Sequence, residues 1–115
     1  MSDDFQLNWA TQLRKGVLEF AILSALATRR LYGYELVRTL GSIDSLVISE
    51  GTIYPILNRL KREAYVESTI EESSEGPARK YYQLTSRGRA QLQRMNDHWG
   101  RLRDGIETLQ RGPKK

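Results

Sequence analysis

Asn58, Arg59 and Arg62 sit within one stretch of a chain that otherwise carries few groups able to do chemistry. Arginine presents a planar fork that matches a guanine edge, and asparagine pairs bidentately with adenine, so this set suits recognition rather than bond-making. Ile53, Ile56, Leu57, Leu60 and Ala64 recur at helical spacing around them, which predicts a helix with one buried stripe. Opposite that stripe lie Gly51, Pro55, Asn58, Arg59 and Arg62, flanked by Thr52 and Tyr54, with no carboxylate until Glu63 at the edge. A basic face is also what a soluble surface helix presents, so the surroundings must decide its meaning.

Other chemistries lack parts. There is no cysteine, and the one histidine, His98, falls on the polar flank of the last helix. No Ser-His-Asp triad, cysteine nucleophile or two-histidine metal site can be assembled within one chain. Gly33, Gly41 and Gly51 are isolated and build no phosphate loop. The expectation is therefore no enzyme, no cofactor and no metal. With 115 residues, 39% hydrophobic and 28% charged, the chain has one domain's worth of core. A net charge of +4 favours a polyanionic partner. The longest apolar run, residues 17–27, is broken by Glu19 and Ser24 and is too short to span a bilayer. Asp3 and Asp4 stand where a signal peptide would be basic, so a cytoplasmic location with no membrane partner is expected.

The elements that must position the polar set follow from the rest of the chain. A short helix is predicted over residues 5–13, with Phe5, Trp9 and Leu13 on one side, and a second over 16–28. The second is apolar nearly all round, which suggests burial by another subunit as well as by its own domain. Residues 29–33 break the pattern. Residues 34–40 form the next helix, with Gly41 at the left-handed position that ends it. The connection 42–48 carries no cation and has room for a short strand at Leu46, Val47 and Ile48. Ser49 is a natural N-cap for the central helix, but Pro55 would then crowd the carbonyl of Gly51. A cap at Thr52 would place Pro55 in the first turn, and the local pattern does not decide between the two.

Beyond Ala64 the period changes. Residues 65–71 and 79–84 read as two strands around a polar turn cluster at 72–78, a hairpin with Arg79 and Lys80 at its tip. Three helices followed by a hairpin is the order of a winged helix: mostly α with a small β wing, in which the third helix enters the major groove. Glu71, Glu72 and Glu75 would repel phosphates, so only Arg79 and Lys80 of the wing are expected on DNA, with Arg38 and Ser49 placed for phosphates. Thr85 caps a last helix to about Arg111, along which Leu92, Met95, Trp99, Leu102, Ile106 and Leu109 form a coiled-coil seam. The flanking positions are polar, which favours self-association over packing on the chain's own core. The expected division is a winged-helix domain over 1–84 and a dimerisation helix over 85–115.

Tyr32-Gly33-Tyr34-Glu35-Leu36, the block from Ser49 to Leu60, Arg79 to Thr85 and Gly88 together resemble the signature of the PadR family. The resemblance spans roughly residues 13–109. It implies a winged-helix transcriptional regulator of the short form, with the cap near Ser49 and a helix running through Pro55. It further implies a homodimer on pseudo-palindromic double-stranded operators, repression as the usual sense, and relief by small molecules. Trp99, at the middle of the seam, could leave with its symmetry mate a slot for a flat aromatic effector. Met95 would wall that slot and Phe20 would close it. The competing expectation is a winged-helix module that binds protein or RNA without operator specificity.

Overall fold

The computed structural model describes residues 3–44, 46 and 48–113, with side chains from residue 8 onward. A 23-residue helix, α1 (Asp3–Ala25), opens the chain. It replaces the two helices expected over 5–13 and 16–28. Gly16 interrupts nothing, because one helical glycine costs only about 1 kcal/mol and its neighbours Arg14, Lys15 and Leu18 are good helix formers. The expected packing of Phe5 lies outside the described side chains.

Two residues of strand, β1 (Leu31–Tyr32), lead into α2 (Gly33–Gly41). The capping box of α2 has the Glu35 carboxylate accepting from the Tyr32 N–H at 3.2 Å. Gly41 is the last helical residue and not a left-handed stop. Ser42 follows at φ −77°, its N–H reaching Arg38 O and Thr39 O. A second turn closes by Ile43 N–H to Leu40 O and Leu46 N–H to Ile43 O. Leu46 and Ile48 form no strand, since Leu46 turns into the core instead; Val47 lies outside the described residues.

Helix α3 (Glu50–Arg62) starts at Ser49 and runs through Pro55. Ser49 accepts the first helical bonds through its carbonyl, from Thr52 N–H and Ile53 N–H at 3.1 Å each. Its hydroxyl lies 3.2 Å from Thr52 Oγ1 instead of capping the backbone. The Pro55 ring crowds Gly51, where no side chain adds to the crowding. Past Glu63, Ala64 takes a left-handed φ of 65°, and Tyr65 N–H returns to Leu60 O at 2.9 Å.

The wing is β2 (Val66–Ser73) paired with β3 (Gly76–Leu84), with β1 on the other edge of β3, so the sheet order is β1-β3-β2. Its strands run through most of the expected turn cluster, and the turn is Ser74-Glu75. Arg79 and Lys80 are therefore not at the tip. Arg79 faces Glu71 and Lys80 faces Ile70 across the ladder. Exposed wing strands need no apolar residues beyond the core, so they share the composition of a turn. Finally α4 (Ser86–Arg111) begins at Thr85, whose Oγ1 accepts from Gly88 N–H at 2.9 Å.

Ile22 and Leu23 of α1, with Leu26 just past its end, meet Leu36 and Leu40, Ile53, Leu57 and Leu60, and Val66, Tyr82 and Leu84 in one core. Burial pushes the Tyr82 phenol above its usual pKa. Leu92 and Met95 pack partly buried against that core, and Trp99, still 40% exposed, meets Phe20 of α1 at 6.2 Å. Further along α4, Ile106 is 47% and Leu109 81% exposed, and the molecule measures 65 × 35 × 21 Å. Among the described residues, no helix is long and apolar enough to cross a membrane.

Candidate nucleic-acid interface

Burial of Ile53, Leu57 and Leu60 fixes how α3 is rolled. At about 100° per residue, Asn58, Arg62, Gly51 and Pro55 then point directly away from the core. Asn58 and Arg62 are exposed, and among the described residues neither side chain has a hydrogen-bond or ion-pair partner. Lys61, outside the expected reading set, is exposed on the neighbouring flank in the same condition.

The flanks of α3 are occupied. Arg59 turns toward α1, where Nη2 lies 3.2 Å from Glu19 Oε2, and Nη1 donates to Glu63 Oε1 at 2.9 Å. The hydrogen bond to Glu19 leads in holding this guanidinium above its already high pKa. Tyr54 takes the other flank and lies against Gly33, where any Cβ would collide with the phenol. A side chain at position 33 would have to displace that phenol.

Alternation along β3 puts its two wing cations on opposite faces of the sheet. Lys80 shares the face that carries Tyr82 and Leu84 into the core, and it extends past that core beside exposed Ile70. Arg79 lies on the other face, 4.6 Å from the Tyr32 ring centre. That face also holds Tyr81, which meets Tyr32 edge-on at 5.5 Å, and Arg30, stacked 4.3 Å over Tyr81. Arg30 pairs with Glu71 at 2.6 Å, so one of the wing carboxylates expected to repel phosphate is neutralised. Arg30 was legible in sequence only as part of a break, because its partner is 41 residues away. Arg38 is exposed on α2, 5.7 Å from the Tyr34 ring centre, and Ser49 is exposed at the start of α3.

A groove of about 770 Å³ runs between α1 and α4. Phe20, Val17 and Leu13 line it from α1, and Met95, Trp99 and Leu102 from α4. The three residues expected to form an effector slot are thus assembled within a single chain.

A three-helix core, an antiparallel wing and an exposed polar face on the third helix define a winged-helix DNA-binding fold. Residues 22–94 match the transcriptional regulator PadR-like family, and the chain belongs to it. Its fold is similar to that of a PadR-like transcriptional regulator from Bacillus cereus, 40% identical, with a TM-score of 0.80 over 89% of this chain and 99% of that one. A PadR family transcriptional regulator from Eggerthella lenta is 31% identical with a TM-score of 0.84, covering 96% of each chain. Bacillus subtilis PadR, solved in complex with operator DNA, is 26% identical with a TM-score of 0.63 over 69% of this chain and 46% of that one.

Proposed function

We propose that this chain is a cytoplasmic, homodimeric repressor that reads operator DNA with Asn58 and Arg62 in the major groove. The observation that carries the reading is the pair of unpartnered, outward side chains on α3, of the two types that recognise bases bidentately. Thr52 lies at the groove edge, and Tyr54 and Arg59 brace the helix from its flanks. Lys80 reaches backbone or minor groove from the inner face of the wing, with Arg79 at its outer edge. Arg38 and Ser49 hold phosphates. The Bacillus subtilis relative, solved in complex with operator DNA, supports operator DNA as the partner.

Selection from random-sequence DNA supplies the duplex for the test. Arg62→Ala is expected to cost about 1–3 kcal/mol on that duplex and to relax its specificity. Lys80→Ala should weaken all sequences alike and lower the salt slope by about 1. Equal losses from Arg62→Ala on selected and scrambled duplexes would remove the base-reading role. A wild-type protein that shifts no DNA in a salt-dependent, sequence-selective way would instead favour a protein- or RNA-binding module.

The groove between α1 and α4 supports a flat aromatic effector as the signal. Phe20 and Trp99 supply aromatic faces and Met95 an adaptable wall, all open to the surface in one chain. A second copy across the seam would enclose the same space. With Trp9→Phe removing the other indole, binding of an aromatic library member should quench Trp99 fluorescence and weaken operator binding together. Quenching without a change in DNA affinity, or no quenching across the library, reduces Trp99 to interface packing.

A further inference from the structure

Arg59 is the one α3 arginine engaged by another helix. Its guanidinium lies fork-on against Glu19 of α1, with Nη2 to Oε2 at 3.2 Å and Nη1 to Oε1 at 3.5 Å. The two side chains retain 41% and 29% of their exposure, so water screens the pair only in part. Glu63 also accepts from Nη1, but it caps the end of α3 itself as an exposed i,i+4 neighbour and fixes little. Glu19 belongs to a different helix, and so determines where the arginine points. The roll of α3 puts Arg59 about 60° from Arg62 around the helix, close enough for a released side chain to swing to the outward face.

We propose that Glu19 is a specificity-determining residue of the DNA interface. It withholds Arg59 from phosphates, leaving Asn58 and Arg62 to make the contacts of α3. An unrestrained arginine at that edge would bind the backbone of any sequence, raising affinity everywhere and diluting discrimination. The inference rests on α3 being the DNA-reading helix, as proposed above. It differs from a purely structural staple between α1 and α3 in one measurable respect. A staple affects stability, whereas a withheld cation affects the salt dependence of binding.

Full-length Glu19→Gln, Arg59→Gln and the double variant are compared on the selected duplex and on a scrambled duplex of equal length, over a salt series. Glu19→Gln is expected to bind the scrambled duplex about tenfold tighter at low salt, with a slope steeper by about 1 for each protomer that gains a phosphate. Its ratio of selected to scrambled affinity should fall. Arg59→Gln alone should leave both affinities within about twofold, and the double variant should match it, because the added phosphate contact then has no donor. An unchanged slope in Glu19→Gln overturns the proposal. So does a tenfold loss by Arg59→Gln on the selected duplex, a result that stands even where Glu19→Gln does not fold. If wild-type protein binds neither duplex with a salt-dependent slope, the DNA reading itself has failed, which separates the two outcomes.

Discussion

Leu102→Lys combined with Ile106→Lys is expected to convert the proposed dimer into folded monomers that no longer hold two half-sites at once. Both residues lie in the second half of α4, 51% and 47% exposed, and Leu109 one turn further on is 81% exposed. Burying each such side chain in a partner contributes about 1.5–3 kcal/mol. Two lysines per protomer replace that gain with four cations around a two-fold axis, in a seam that excludes water. The combined change, at least about 4 kcal/mol, corresponds to a thousandfold or more in the dimer constant. Neither residue touches the chain's own core, so circular dichroism should report an intact winged helix. Sedimentation velocity makes the decision. A double variant that still runs as the wild-type dimer would remove this seam from the interface.

The exposed half of the seam also shows where sequence reading succeeds and where it stops. Spacing of 3 and 4 from Leu92 to Leu109 marks one stripe, and the structure has that stripe on one side of α4. What the pattern cannot express is that Leu92 and Met95 are claimed by the chain's own core while Leu102 and Ile106 are not. That difference depends on the length of the domain beneath, not on α4. The stripe of α3 was legible for the same reason: its burial is local and periodic. Glu19 and Arg59 are 40 residues apart, and no local pattern connects them. Strand β1 was missed because two residues have no period. Arg79 and Lys80 were misplaced because wing strands beyond the core are as polar as the turn that joins them. The break expected between residues 13 and 16 does not occur, because Arg14, Lys15 and Leu18 are good helix formers.

Gly88→Ala is expected to have the second large effect, through the joint between α3 and α4. The last carbonyls beyond α3 are each taken by the first turn of α4. Arg87 Nε–H donates to Glu63 O at 3.0 Å, the Thr85 hydroxyl to Ala64 O at 2.6 Å, and Thr85 N–H to Tyr65 O at 3.1 Å. The Thr85 hydroxyl accepts from Gly88 N–H at the same time, using both its donor and an acceptor pair. Arg87 also lies 4.7 Å over the Tyr65 ring. This close approach is possible because Gly88 has no side chain, and a Cβ there would collide with Tyr65 O, a backbone atom that cannot rotate away. Alanine must therefore push α4 off the end of α3. Overpacking of this kind costs about 1–3 kcal/mol, and each hydrogen bond stretched in the process adds about 0.5–1.5 kcal/mol. Urea unfolding should show a loss of about 3 kcal/mol or more, a large share of the stability of a domain this size. In the protein that remains folded, α4 leaves the domain at an altered angle. In the proposed dimer, that angle sets the distance between the two copies of α3, so operator affinity should fall further than affinity for scrambled DNA. Arg87→Ala deletes contacts without forcing the helices apart and should show a milder form of both losses. Wild-type unfolding together with wild-type operator binding in Gly88→Ala would mean that α4 is not rigidly tied to α3. The spacing of the two reading helices would then have to be set elsewhere.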